Sequence, residues 1–129
     1  MKSDEPQKAP AYQRYSEKWL VETKRLSWPA KGVYADLLEI IWIEFQDTCS
    51  IPNEDDYIAA ELGCTVDQWQ TAKKEIMWQH KPLFVVDETN RLVCEWMVEA
   101  RDKAYSYREK MRENGKKGGR PKKDKKAVG

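Results

Sequence analysis

Apolar residues recur at three- and four-residue steps from Val33 through Leu37, Leu38, Ile41 and Trp42 to Phe45, the period of a helix with one buried face. Ile40 and Ile43 widen that face, so this segment is expected to be the central helix, covered on more than one side. Ser27 is placed to cap its start, and Pro29 falls in the first turn, where a missing N–H is harmless. Upstream, Trp19, Leu20 and Leu26 are apolar anchors for a short helix or irregular lead-in. The central helix is expected to end near Cys49-Ser50-Ile51-Pro52.

A second helical segment follows Pro52, capped by Asn53 or Asp55, with an acidic first turn that suits the helix dipole. Gly63 should stop it. A third begins after Thr65 and puts Val66, Trp69, Ala72 and Ile76 on one face. Pro82 blocks further helix, and the period then changes: "LFVV" and "RLVCEW" are β-branched and apolar on either side of Asp87-Glu88-Thr89-Asn90, which reads as a hairpin with a polar turn. A last helix carries Trp96, Ala100, Ala104, Tyr107 and Met111 on one stripe, with Glu99 and Lys103 at a favourable i,i+4 spacing. Asn114-Gly115 is its stop, and its far half is polar enough to project from the domain.

The predicted fold is therefore mainly α with a β-hairpin, in the order of a winged helix-turn-helix. Ile58 to Ala72 carries the local pattern: small Ala59 for a close helix crossing, Leu62, Gly63 for the turn, then Trp69 and Ala72 packing the second helix on the first. Residues 1–14 read as a disordered arm, 15–113 as the domain and 114–129 as a disordered basic tail.

Charge sharpens this picture. The 129-residue chain is nearly neutral at +1, but residues 115–129 hold seven basic side chains against Asp124, and residues 1–114 hold 16 basic against 21 acidic. An acidic body with a basic tail points to an interaction tail, with nucleic acid its commonest target. "GGRPKK" resembles the core of an AT-hook, with Arg120 for a narrow minor groove and Pro121 to keep the chain extended; Gly118 stands where such a motif carries an arginine. In a DNA-binding reading the third helix enters the major groove. Gln68, Gln70, Thr71, Lys73 and Lys74 would meet bases and phosphates, Arg91 would reach from the hairpin, and Lys116, Lys117, Arg120, Pro121, Lys122 and Lys123 would add electrostatic grip. Asp67, Glu75, Asp87 and Glu88 weaken that surface electrostatically, so protein contact by the acidic body is the alternative. Trp78 faces away from Trp69 and Ile76 and is a candidate contact for DNA or a partner, or packs on the wing or lead-in.

Nothing suggests catalysis. His80 is the one histidine, no Ser-His-Asp arrangement is present, and "GKKGG" lacks the spacing of a phosphate-binding loop. Cys49, Cys64 and Cys94 are expected to be reduced thiols of a cytoplasmic protein, and with His80 they match no zinc spacing, so no metal or cofactor is expected. No apolar leader or membrane-length run occurs.

Leu20, Thr23, Leu26, Ser27, Gly32, Tyr34, Leu37, Leu38 and Trp42 together resemble the opening of a phage and prophage family of small winged-helix domains, the YdaU-like domain of unknown function. Ile51, Pro52 and Asp55 fit the same pattern, as does Asn114 to Lys123; the acidic hairpin tip departs from it. The resemblance covers most of residues 15–123. It implies a role in bacterial cells, in initiating phage DNA replication or controlling it, with double-stranded DNA and replication proteins such as a helicase or its loader as partners. A helicase-loading segment would be absent here or supplied by another protein. A homodimer through the last helix is left open.

Overall fold

The computed structural model describes residues 9–116, with only the backbone of Lys116. Five helices and three short strands follow one another: α1 (Ser16–Thr23), α2 (Trp28–Glu44), β1 (Ser50–Pro52), α3 (Asp55–Leu62), α4 (Val66–Ile76), β2 (Val85–Val86), β3 (Arg91–Val93) and α5 (Glu95–Lys116). The protein is thus mainly α with a small antiparallel sheet. Its chain divides into two compact units, residues 13–98 and a second containing residues 9–12 and 99–116.

In the first unit α2 is the central helix. Ala30, Tyr34, Leu37, Leu38, Ile41 and Trp42 are buried along it, and α4 and α3 pack against it. The Ser27 hydroxyl caps it, accepting from the Ala30 N–H at 3.3 Å. Of the two residues expected to widen the apolar face, Ile40 is half-buried and Ile43 is exposed. In α1 the inward positions are Trp19 and Thr23, four apart, and Leu20 turns out to solvent one step round the helix. Tyr34 is fully buried, stacked on Trp19 at 5.6 Å and edge-on to Phe84 at 5.7 Å. Its hydroxyl donates to Glu22 at 3.1 Å and accepts from the Trp96 indole at 3.4 Å. The Tyr34 hydroxyl and the Trp96 indole thereby have the partners that burial demands.

The hairpin β2–β3 turns where the sequence predicts. Asp87 accepts from the Thr89 N–H, the Thr89 hydroxyl and the Arg91 N–H, and Asn90 takes the left-handed conformation at φ 59°. A strand not foreseen from the sequence, β1, completes the sheet in the order β1-β3-β2, pairing Ile51 with Leu92. Both residues are fully buried. β1 holds only three residues and includes Pro52, too short a run to show a period of two.

In the second unit, α5 continues through the predicted Asn114-Gly115 stop to Lys116. Tyr107 and Met111 are exposed on it. Arg101 pairs with Asp102 and Arg112 with Glu109 along it, and the predicted Glu99–Lys103 pair is not formed. None of the helices among the described residues is long and apolar enough to cross a membrane.

Candidate nucleic-acid interface

Helices α3 and α4 form a tight helical corner. Gly63 ends α3 at φ 76°, a left-handed conformation open to glycine at no steric cost. Its N–H returns to the Ala59 carbonyl at 2.9 Å. Two residues later Thr65 and Gln68 form a reciprocal capping box: the Gln68 N–H donates to the Thr65 hydroxyl at 3.0 Å, and the Thr65 N–H donates to the Gln68 side chain at 2.9 Å. Trp69, Ala72 and Ile76 then pack inward, while Val66 is partly exposed.

Asp55 fastens α4 to the start of α3. The residue before it, Glu54, occupies the N-cap without a side-chain bond, so neither Asn53 nor Asp55 caps α3 as expected. The Asp55 carboxylate instead accepts from the Trp69 indole at 2.8 Å, the Gln70 amide at 3.0 Å and the Lys73 ammonium at 3.0 Å. These bonds, led by Gln70 and Lys73, hold its carboxyl down at about 2. Lys73 also donates to Asn53 at 2.9 Å, and Asn53 bonds Asn90 at the hairpin tip through backbone and side chain. One polar chain thus runs from the hairpin turn through Asn53 and Lys73 to Asp55 and α4.

The sequence-predicted contact residues fare differently. Thr71 and Lys74 lie exposed on α4, with Asp67, Gln70, Lys73 and Met77 lining the same open depression. Gln68 is exposed but its side-chain oxygen is spent on the capping box. Gln70 and Lys73 are tied to Asp55. Arg91 is folded back: its guanidinium bonds the Ser50 hydroxyl at 2.8 Å and carbonyl at 3.1 Å, and lies 5.3 Å from the Phe45 ring centroid. Lys116 ends α5. Lys117, Arg120, Pro121, Lys122 and Lys123 lie outside the described residues.

Sequence reasoning missed the Asp55 hub and the Arg91–Ser50 contact, because both join residues far apart in the chain. It also gave Trp28 no role, although Trp28 is 85 % exposed at the first position of α2. Among the described residues, no three or more His, Cys, Asp or Glu side chains are grouped to hold a metal ion. Comparison with protein-family models, with curated proteins and with solved structures finds no match.

Proposed function

We propose that this chain is a DNA-binding winged-helix protein of phage or prophage origin, not an enzyme, acting in a bacterial cytoplasm in replication initiation or its control. The observation that carries the reading is the α3–Gly63–α4 corner followed by the β2–β3 hairpin, with β1 closing the sheet on the far side of β3. That succession supports a helix-turn-helix with a wing, α4 being the recognition helix. Thr71 and Lys74 are its available contacts, and Gln70 and Lys73 join them if Asp55 gives them up.

Electrostatics divides the labour. Residues 13–98 carry nine basic and fifteen acidic side chains, a net −6, so α4 approaches DNA against the field of its own unit. The seven basic residues of 115–129 supply the attraction. The same −6, with Gln68, Gln70, Lys73 and Arg91 engaged internally, favours the second reading: a protein-interaction module, a replication adaptor or inhibitor of a host factor, with a nucleic-acid-binding tail.

Fluorescence anisotropy with A·T-rich and mixed duplexes, on the full chain and on residues 1–116, separates the two. The first reading expects residues 1–116 to keep a preference for one duplex while losing most of the salt dependence. Loss of all duplex binding on truncation leaves the body to a protein partner. Failure of the full chain to bind at low salt removes DNA from both readings.

A further inference from the structure

The acidic unit has one end where the balance reverses. Residues 24–31 and 75–81 contain four of its nine basic side chains, Lys24, Arg25, Lys31 and Lys81, and only one of its fifteen acidic ones, Glu75. The fold joins these two stretches. The Glu75 carboxylate holds the N–H and hydroxyl of Ser27 at 2.7 and 2.8 Å, and Arg25 donates to the Lys81 carbonyl at 3.0 Å. Glu75 is thereby committed to the start of α2, where the helix dipole offsets its charge.

Two tryptophans are exposed in the same two stretches. Trp28 is 85 % exposed and Trp78 44 %. The Arg25 guanidinium lies 4.8 Å from the Trp78 ring centroid, and His80 meets that ring edge-on at 4.8 Å. Trp78 is thus partly covered by Arg25 and His80, whereas Trp28 leaves a large apolar ring in water at this basic end. Base stacking on an indole or a guanidinium plane, with lysines spaced to meet phosphates, is the chemistry of sequence-tolerant single-strand binding.

We infer that the Trp28–Arg25–Trp78 end of the first unit binds single-stranded nucleic acid, with Trp28 as a stacking platform and Lys24, Lys31 and Lys81 as phosphate contacts. A protein partner would be expected to bring acidic groups to this end; a nucleic-acid strand brings both the charge and the stacking faces. The inference goes beyond the duplex reading of α4 and does not depend on it, since Thr71 lies on neither stretch.

The test titrates the full chain with a short oligo(dT) at two salt concentrations, following tryptophan emission and anisotropy. The expected result is quenching on binding, with affinity reduced about tenfold in Trp28→Ala and reduced further, with a shallower salt slope, in Lys24→Glu/Lys81→Glu. Both changes are at exposed side chains, and an unchanged unfolding midpoint shows that the fold persists. Thr71→Ala should leave oligo(dT) binding alone, and duplex binding weakened in that variant marks a separate surface; an oligo(dT) affinity lowered in Thr71→Ala as much as in Trp28→Ala overturns the inference. Oligo(dT) affinity within twofold of wild type in Trp28→Ala overturns the inference and assigns the binding to the tail. Absence of quenching in the wild type at low salt overturns it as well.

Discussion

The carboxylate of Glu75 accepts both the backbone N–H and the hydroxyl of Ser27, at 2.7 and 2.8 Å, across 48 residues of sequence. A carboxylate in the last turn of α4 is disfavoured by that helix's dipole, yet here it sits on the first turn of α2, where the dipole favours it. The contact therefore fixes where the end of α4 meets the start of α2.

Removing it should loosen that meeting point. Glu75→Ala is expected to cost about 1–2 kcal/mol, since two hydrogen bonds to a charged acceptor are lost at a partly solvated site. Ser27→Ala should cost about 1 kcal/mol through the lost cap. Urea unfolding of both single variants and the double variant should return a coupling energy of roughly 1 kcal/mol. Strict additivity would show that the hydroxyl–carboxylate bond contributes nothing to stability, since Ser27→Ala keeps the backbone N–H bond to Glu75.

Gly63 is constrained by its backbone rather than by space. A Cβ there would meet nothing within 4 Å, but the φ of 76° is left-handed. Gly63→Ala is expected to destabilise by about 1–2 kcal/mol, and Gly63→Asn by less, because Asn tolerates that conformation. Thermal unfolding should show Tm drops in that order, about 4–8 °C per kcal/mol for a domain of this size. Equal drops would point to a steric cause instead.

The features legible in the sequence are those written locally. The period of α2, the Gly63 turn, the Thr65 start of α4 and the Asp87–Asn90 turn all depend on residues within a few positions of each other, and the structure has each where the sequence predicts it. Several of the misses are non-local. β1 exists because β3 offers it a partner some forty residues on. Gln70 and Lys73 look like free contact residues on a helical wheel, but Asp55, 15 and 18 positions earlier, takes both. Asn53 and Asp55 both stand where the local pattern places a cap, yet Glu54 occupies that position. The continuation of α5 past Asn114-Gly115 shows the limit of the stop pattern itself: Gly at that place permits an end without imposing one.

The three thiols should separate by reactivity. Cys49 and Cys94 are fully buried, whereas Cys64 is partly exposed. Burial pushes the Cys94 thiol up to about 12, leaving almost no thiolate at neutral pH. One thiol is expected to react with Ellman's reagent in the native protein and three in denaturant. Cys64→Ser should abolish the native reaction; rapid reaction persisting in that variant would mean that the β1–β3 edge opens readily.

Asp55 should leave a mark on acid stability. Its folded carboxyl titrates near 2, below its usual 3.8, because Gln70, Lys73 and Trp69 donate to the charged form. A depressed folded value contributes stability that is complete above pH 4 and is lost as pH falls from about 4 to about 2. Urea midpoints of wild type and Asp55→Asn should therefore differ most at neutral pH and converge towards pH 2. Curves that stay parallel across that window would show that Asp55 is not held in its charged form.

The same substitution probes the proposed recognition helix. Asp55→Asn keeps an acceptor for the Trp69 indole but removes the charge that holds Lys73, leaving that lysine its bond to Asn53. If α4 lies against a DNA backbone, Lys73 becomes able to turn towards phosphate. Duplex affinity should then rise several-fold, and the slope of log affinity against log salt should steepen by about 0.9, the increment for one more neutralised phosphate. Asp56→Asn is the control, because it makes the same charge change at an exposed neighbouring position without freeing Lys73. Equal gains in both variants would assign the effect to net charge alone. A gain confined to Asp55→Asn would put Lys73, and with it the outer face of α4, at the DNA.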